Sequence, residues 1–266
     1  MTRGRQSASV GQWVLYIALI IASLALVGYF GFQMYIQDMI RVRASDGYCP
    51  TGNWVQVREG IGIPGHTAII IDTSNTISEE DGARALERIE EWAKDTLRAP
   101  FLQKLSVYGL PETEHEAPIQ SGKPLCIPKQ GEMANILYEN PRVVDIEFKI
   151  FLNRIREVLD NLRDREEADL SPIAETLATL VAQNPDIDSF VLVSDMLQNS
   201  SLWSDYAQEP EMSDKVLAEC RRITESGRVR DLYLYYIDRK VAVQSNEWPT
   251  DLWRTCLGGI NTSTIN

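Results

Sequence analysis

The stretch HTAIIIDTSNTISEED, residues 66–81, decides the fold. Its apolar run, TAIII, leaves no position for a wet face, so it reads as a strand buried on both sides, as in a parallel sheet. The run ends at Asp72, and hydroxyls follow at alternate positions, Ser74 and Thr76. A strand that merely reached the surface has no need of one carboxylate and two hydroxyls at that spacing, whereas a bound cation does. A helix should follow at once. Ser78 can cap it, Asp81 completes a capping-box pattern, and Glu79 and Glu80 complement the helix dipole. Leu86, Ile89, Ala93 and Leu97 mark its expected apolar face, and Pro100 is its expected stop.

Outward from this stretch, strand-like runs alternate with amphipathic helices. The runs are LSVYGL (105–110), SFVLVS (189–194) and DLYLYYI (231–237). Helices are expected over about 146–163, over 171–183 with Pro172 at the first helical position, and over roughly 213–225. The proline-rich stretch 111–141 carries PLCIP, which suits a short edge strand or a loop. NEWPTDLWRTCL should close the fold as a short helix. Alternation of this kind predicts an α/β fold, a Rossmann-like, doubly wound and mainly parallel sheet flanked by helices. The domain is expected over 65–258, with 259–266 as a tail.

Ahead of the domain, residues 12–36 form an uncharged apolar run, and no charge appears between Arg5 and Asp38. About 20 apolar residues cross a bilayer, and Trp13, Tyr16, Tyr29 and Tyr35 lie towards the ends, where amphipathic rings favour the interface. The run exceeds a usual signal-peptide core and no small-residue cleavage site follows, so it reads as a single-pass anchor behind a short tail, 1–11. Glycine and proline punctuate 37–64 as a linker. Arg3 and Arg5 nearly balance Arg41 and Arg43. A short leading tail before the only long domain favours carrying that domain to the extracytoplasmic side.

A net charge of −12 gives none of the basic footprint that nucleic acid requires. The four cysteines, Cys49, Cys126, Cys220 and Cys256, lack zinc-site spacing. They permit disulfides whose pairing sequence cannot assign, with buried free thiols as the alternative.

Ligands of open parallel sheets bind beyond the carboxyl ends of the strands. Asp72, Ser74 and Thr76 follow the first strand, Asp195 follows SFVLVS, and Ser171 opens a helix able to reach the same edge. Two carboxylates and three hydroxyls are hard donors suited to Mg²⁺ or Mn²⁺, with Ca²⁺ as a further candidate. Taken singly, these residues are turn and cap residues. Taken together, from about 65 to 257, they resemble the von Willebrand factor A (VWA) domain family and its metal-ion-dependent adhesion site (MIDAS). That site is built from D-x-S-x-S, a distant threonine and a distant aspartate. Asp72 and Ser74 match the motif, Thr76 stands at its second serine, Ser171 at the threonine and Asp195 at the aspartate, while Met196 replaces the usual glycine.

The resemblance implies a membrane-anchored binding or assembly module whose divalent cation takes up an acidic group of a partner protein. Two other classes stand beside it. A haloacid-dehalogenase-like phosphatase also places an aspartate after its first strand, but the second aspartate it needs is here Ser74, so the general acid is missing. No nucleophile elbow, phosphate loop or zinc-protease motif is present, so the expectation is a non-enzyme. The remaining alternative is a structural membrane subunit with a vestigial metal site.

Overall fold

The computed structural model describes residues 10–40, 65–72, 79–111, 113, 116–163, 170–205, 213–237 and 251–264. A 31-residue helix, α1 (Val10–Ile40), comes first. Within it Gly11–Ile36 has a mean hydropathy of 2.3 and no part buried, long and apolar enough to cross a membrane by length and composition.

Six strands form one sheet: β1 (His66–Ile71), β2 (Lys104–Gly109), β3 (Ile119–Cys126), β4 (Ile187–Ser194), β5 (Asp231–Tyr236) and β6 (Asn261–Thr264). Their order is β3-β2-β1-β4-β5-β6, and β3 alone runs antiparallel. The chain thus winds outward in both directions from β1 and β4, whose carboxyl ends lie side by side, with Ile71 in register with Val193. That point of reversal is where an open α/β sheet forms its crevice.

The helices are α2 (Glu79–Lys94), α3 (Pro141–Arg163), α4 (Ile173–Gln183), α5 (Asp214–Thr224) and α6 (Asp251–Cys256). Side chains alternate between the faces of β1. Ala68 and Ile70 join a core with α4, α5 and α6. Ile69 and Ile71 join a second core with α2 and α3. This double coverage is why the β1 run is uniformly apolar. Trp92 and Trp253 are among the largest fully buried side chains, one in each core. Each buried apolar side chain of this class contributes roughly 1.5–3 kcal/mol.

Several expectations change. α2 ends at Lys94, before Pro100, and its buried face is Ala85, Ile89, Trp92 and Ala93; Leu97 falls in the following turn and is exposed. Pro172 is the residue before α4 instead of its first helical position. Of the two readings of the proline-rich stretch, the edge strand holds: β3 lies at the edge of the sheet, eight residues long, and ends in the PLC of PLCIP. The expected tail contains β6, whose backbone pairs in parallel with Asp231 to Leu234 although its side chains are polar. Cys220 and Cys256 form a disulfide across a sequence separation of 36, tying α5 to α6. Cys126 is also disulfide-bonded. The expected cap Ser78, the site residues Ser74 and Thr76, and most of the 37–64 linker lie outside the described residues.

Candidate metal centre at the carboxyl edge of the sheet

Asp72 follows β1 directly and is fully buried. Its backbone N–H still donates to Val193 O at 2.9 Å, extending the ladder one residue beyond the strand. Two hydroxyls donate to its Oδ2: Ser194 Oγ at 2.7 Å and Ser171 Oγ at 3.1 Å. A buried carboxylate demands such donors, since leaving it unpaired costs several kcal/mol. Three segments, 122 and 99 residues apart from Asp72, therefore meet at one carboxylate oxygen.

Ser171 is held in place by backbone bonds. Its N–H donates to Asn199 O at 2.9 Å and its carbonyl accepts from Asn199 N at 3.0 Å, which pins the segment before α4 to the loop after β4. That loop begins at Asp195, buried like Asp72, whose Oδ1 accepts from Leu197 N at 3.0 Å. Because Ile71 aligns with Val193, the two carboxylates belong to adjacent positions of the same edge. Met196, the expected departure from a glycine, does adopt a glycine-like backbone, with φ at +59°. Its N–H donates to Ser194 Oγ at 2.8 Å, and its carbonyl accepts from Trp253 Nε1 at 2.9 Å. Its side chain is buried in the core. These three restraints hold a conformation that an unbranched L-residue resists by roughly 1–2 kcal/mol.

Behind the edge lies a polar network that sequence reasoning missed. Gln198 is fully buried; its Oε1 accepts from Ala174 N at 3.0 Å, and its Nε2 donates to Glu175 Oε2 at 2.7 Å and Ser200 Oγ at 2.9 Å. Asp205 accepts from Gln198 N and Trp203 Nε1, both at 2.8 Å. Burial raises the Asp205 pKa above its ordinary value, against the lowering effect of those two hydrogen bonds. Ser194 was the other omission. The only signal was a hydroxyl ending an apolar strand one residue before Asp195, which any turn serine would also give.

Of the expected ligands, the described residues place Asp72 and Ser171 in direct contact and Asp195 at the same edge. No group of three or more His, Cys, Asp or Glu side chains gathers to hold a metal among the described residues. The donors at this edge are two carboxylates accompanied by hydroxyls, all of the hard-oxygen type that divalent cations such as Mg²⁺ take.

A second polar array occupies the opposite, amino edge. His66 Nε2 lies 2.8 Å from Ser106 Oγ, and its Nδ1 lies 3.1 Å from Asp186 Oδ2, which also accepts from Lys104 Nζ at 3.1 Å. Serine, histidine and aspartate stand here in the order of an acyl-transfer triad. Ser106, however, is an interior strand residue only 2% exposed, a position that a substrate carbonyl cannot approach. Burial, the largest influence, holds the imidazole below its ordinary pKa, and Lys104 pushes the same way against Asp186.

No protein-family model matches the chain, and no curated protein matches it. Solved structures of similar shape include proximal thread matrix protein 1 from the mussel byssus, at 11% identity and TM-score 0.37 over 66% of this chain and 38% of that one. Another is the manganese-loaded TRAP protein of Plasmodium vivax, at 11% and 0.39 over 76% of this chain and 69% of that one. A third is the human COPII-coat protein Sec24c, at 8% and 0.41 over 76% and 30%. The chain matches well under half the length of the mussel and human proteins. At these identities and TM-scores the likenesses carry no weight for the site, which stands on its own geometry.

Proposed function

We propose that this chain is a membrane-anchored protein-interaction module. At the carboxyl edge of its sheet it takes a divalent cation through Asp72, Ser171 and Asp195 together with Ser74 and Thr76, and through that cation an acidic group of a partner protein. The observation that carries this reading is the meeting of Ser171 and Ser194 on the buried Asp72 carboxylate, at the point where the winding of the sheet reverses. A hard cation held by oxygen ligands would compensate the desolvation of a partner carboxylate, which is costly alone. Mg²⁺ or Mn²⁺ suits these hard oxygen donors, and the reading is one of recognition. Gly11–Ile36 serves as an uncleaved anchor in this reading. The domain lies on the extracytoplasmic side, because Cys126, Cys220 and Cys256 are disulfide-bonded, as suits an oxidising compartment.

A second reading has its own support. Asp72 is fully buried and already accepts two hydroxyl protons, as a purely structural pin between β1, β4 and the segment before α4 would. Titrating the detergent-solubilised full chain with Mn²⁺, followed by electron paramagnetic resonance, separates the two. Cation binding predicts saturable uptake that Asp195→Asn abolishes and that chelator reverses, together with loss of partner capture. A structural pin predicts no saturable uptake, and that result would remove the cation from the proposal.

A further inference from the structure

The exposed large apolar side chains are not scattered. Among the described residues outside α1 they are Leu97, Met133, Ile136, Leu137 and Ile146. Leu97 lies in the turn after α2, the next three lie in the segment before α3, and Ile146 lies in the second turn of α3. These segments share the amino edge of the sheet. Lys104, which opens β2, pairs with Cys126, which ends β3, and Leu102 N donates to Ile127 O at 2.9 Å. Gln130 Nε2 then donates to Lys94 O at 2.7 Å, joining the 127–140 segment to the end of α2.

The apolar tip is built, not frayed. Asn135 Oδ1 accepts from Leu137 N at 3.1 Å, and its carbonyl accepts from Tyr138 N and Glu139 N at 2.9 and 2.7 Å. Glu139 Oε2 accepts from Asn135 N at 2.8 Å, and Glu139 pairs with Lys129, whose ammonium also lies over the Phe101 ring. This tight turn holds Ile136 at 80% exposure and Leu137 at 66%. Adjacent aliphatic side chains held in water, with Met133, Leu97 and Ile146 on the same edge, make an apolar patch of the kind that marks a protein or membrane contact.

The next residue indicates which one. The Tyr138 ring lies 6.0 Å, centroid to centroid, from Phe30 of α1. A 26-residue span rises about 39 Å, roughly 9 Å more than the hydrocarbon core. If the span is centred, Phe30 sits about 4–5 Å inside the hydrocarbon boundary, near the depth at which tyrosine rings settle.

We propose that the turn at Asn135–Glu139 is a membrane-docking loop that inserts Ile136 and Leu137 into the leaflet beside α1, so that the domain stands on the bilayer by its amino edge. This rests on α1 being the anchor. The candidate metal centre then faces away from the membrane, about 20 Å further along the six-residue strand β1. Lys129 is paired with Glu139 within the loop, so the attraction is apolar and persists in high salt.

The test uses the full chain carrying Leu137→Cys, labelled with a fluorophore without reductant and reconstituted in phosphatidylcholine vesicles. Glu116→Cys, in the exposed loop after β2 at the opposite edge, is the reference. Lipid-borne nitroxide should quench position 137 at least fivefold more strongly than position 116, aqueous iodide should show the reverse order, and 1 M salt should change neither. Equal quenching at both positions in chains that resist carbonate extraction leaves the anchor standing and overturns the docking loop. Shielding of 137 from iodide without quenching by lipid nitroxide overturns it too, because a protein surface then covers the turn. Release by carbonate overturns the anchor and the loop together.

Discussion

Replacing Cys220 and Cys256 together by alanine tests how the carboxyl-terminal part of the fold is held. The disulfide closes a loop of 36 residues, for which loop-closure entropy in the unfolded chain predicts a loss of about 4 kcal/mol on removal. The native contacts around it largely survive, because Trp253, Leu257 and Ile260 stay buried against the α4–α5 face and hold α6 in place. A typical domain stability of roughly 5–15 kcal/mol leaves the variant folded. With a urea slope of about 2 kcal/mol/M, the midpoint of the domain transition should fall by about 2 M. Urea titration of the full chain in detergent, read by circular dichroism, measures it, and wild-type protein treated with dithiothreitol should fall at least as far. A midpoint within about 0.3 M of wild type at unchanged slope would refute the loop-closure reasoning. Free thiols at both positions in protein taken from native membranes without reductant would refute the oxidising compartment.

Three further outcomes follow from the site and the amino edge. Met196→Gly should relieve roughly 1–2 kcal/mol of left-handed strain but delete a buried side chain worth about 2–5 kcal/mol, for a net loss of roughly 0–4 kcal/mol in thermal unfolding; a gain in stability would mean that the side chain packs nothing. Ser194→Ala strips a donor from buried Asp72 and the acceptor from Met196 N–H, and should cost about 2–3 kcal/mol, more than Ser171→Ala, which removes only the longer contact. His66 has a folded pKa lowered by burial, with Lys104, Asp186 and Asp188 as the charges around it. The unfolded chain therefore binds its proton first, and the stability this residue contributes is full above about 6.5 and is lost as pH falls below that value through the folded pKa. His66→Gln should flatten the acid limb of the stability profile just below pH 6.5, and an unchanged limb would show that the imidazole carries no such linkage.

The sequence by itself determined the elements whose partners lie on both faces. TAIII, SFVLVS and DLYLYYI are readable as strands because parallel strands under two helical layers must be apolar almost throughout, and the α3 and α4 periodicities are readable because each helix buries one stripe. Asp72 and Asp195 were readable as edge residues for the same reason, since a charge that ends a buried run marks where the sheet stops. What tertiary structure decided are pairings that no local pattern encodes. β6 is polar and four residues long, and is a strand only because the open edge of β5 offers it hydrogen bonds. Leu97 continued the α2 pattern on paper but lies past the last helical turn, where nothing covers it. Ser171 and Ser194 met Asp72 from 99 and 122 residues away because the chain winds back to the same edge, and Cys220 met Cys256 because α5 and α6 pack in the same core. Met196 takes a conformation its own type disfavours because Ser194, Trp253 and the core each hold one part of it, a sum of contacts that exists only in the folded chain.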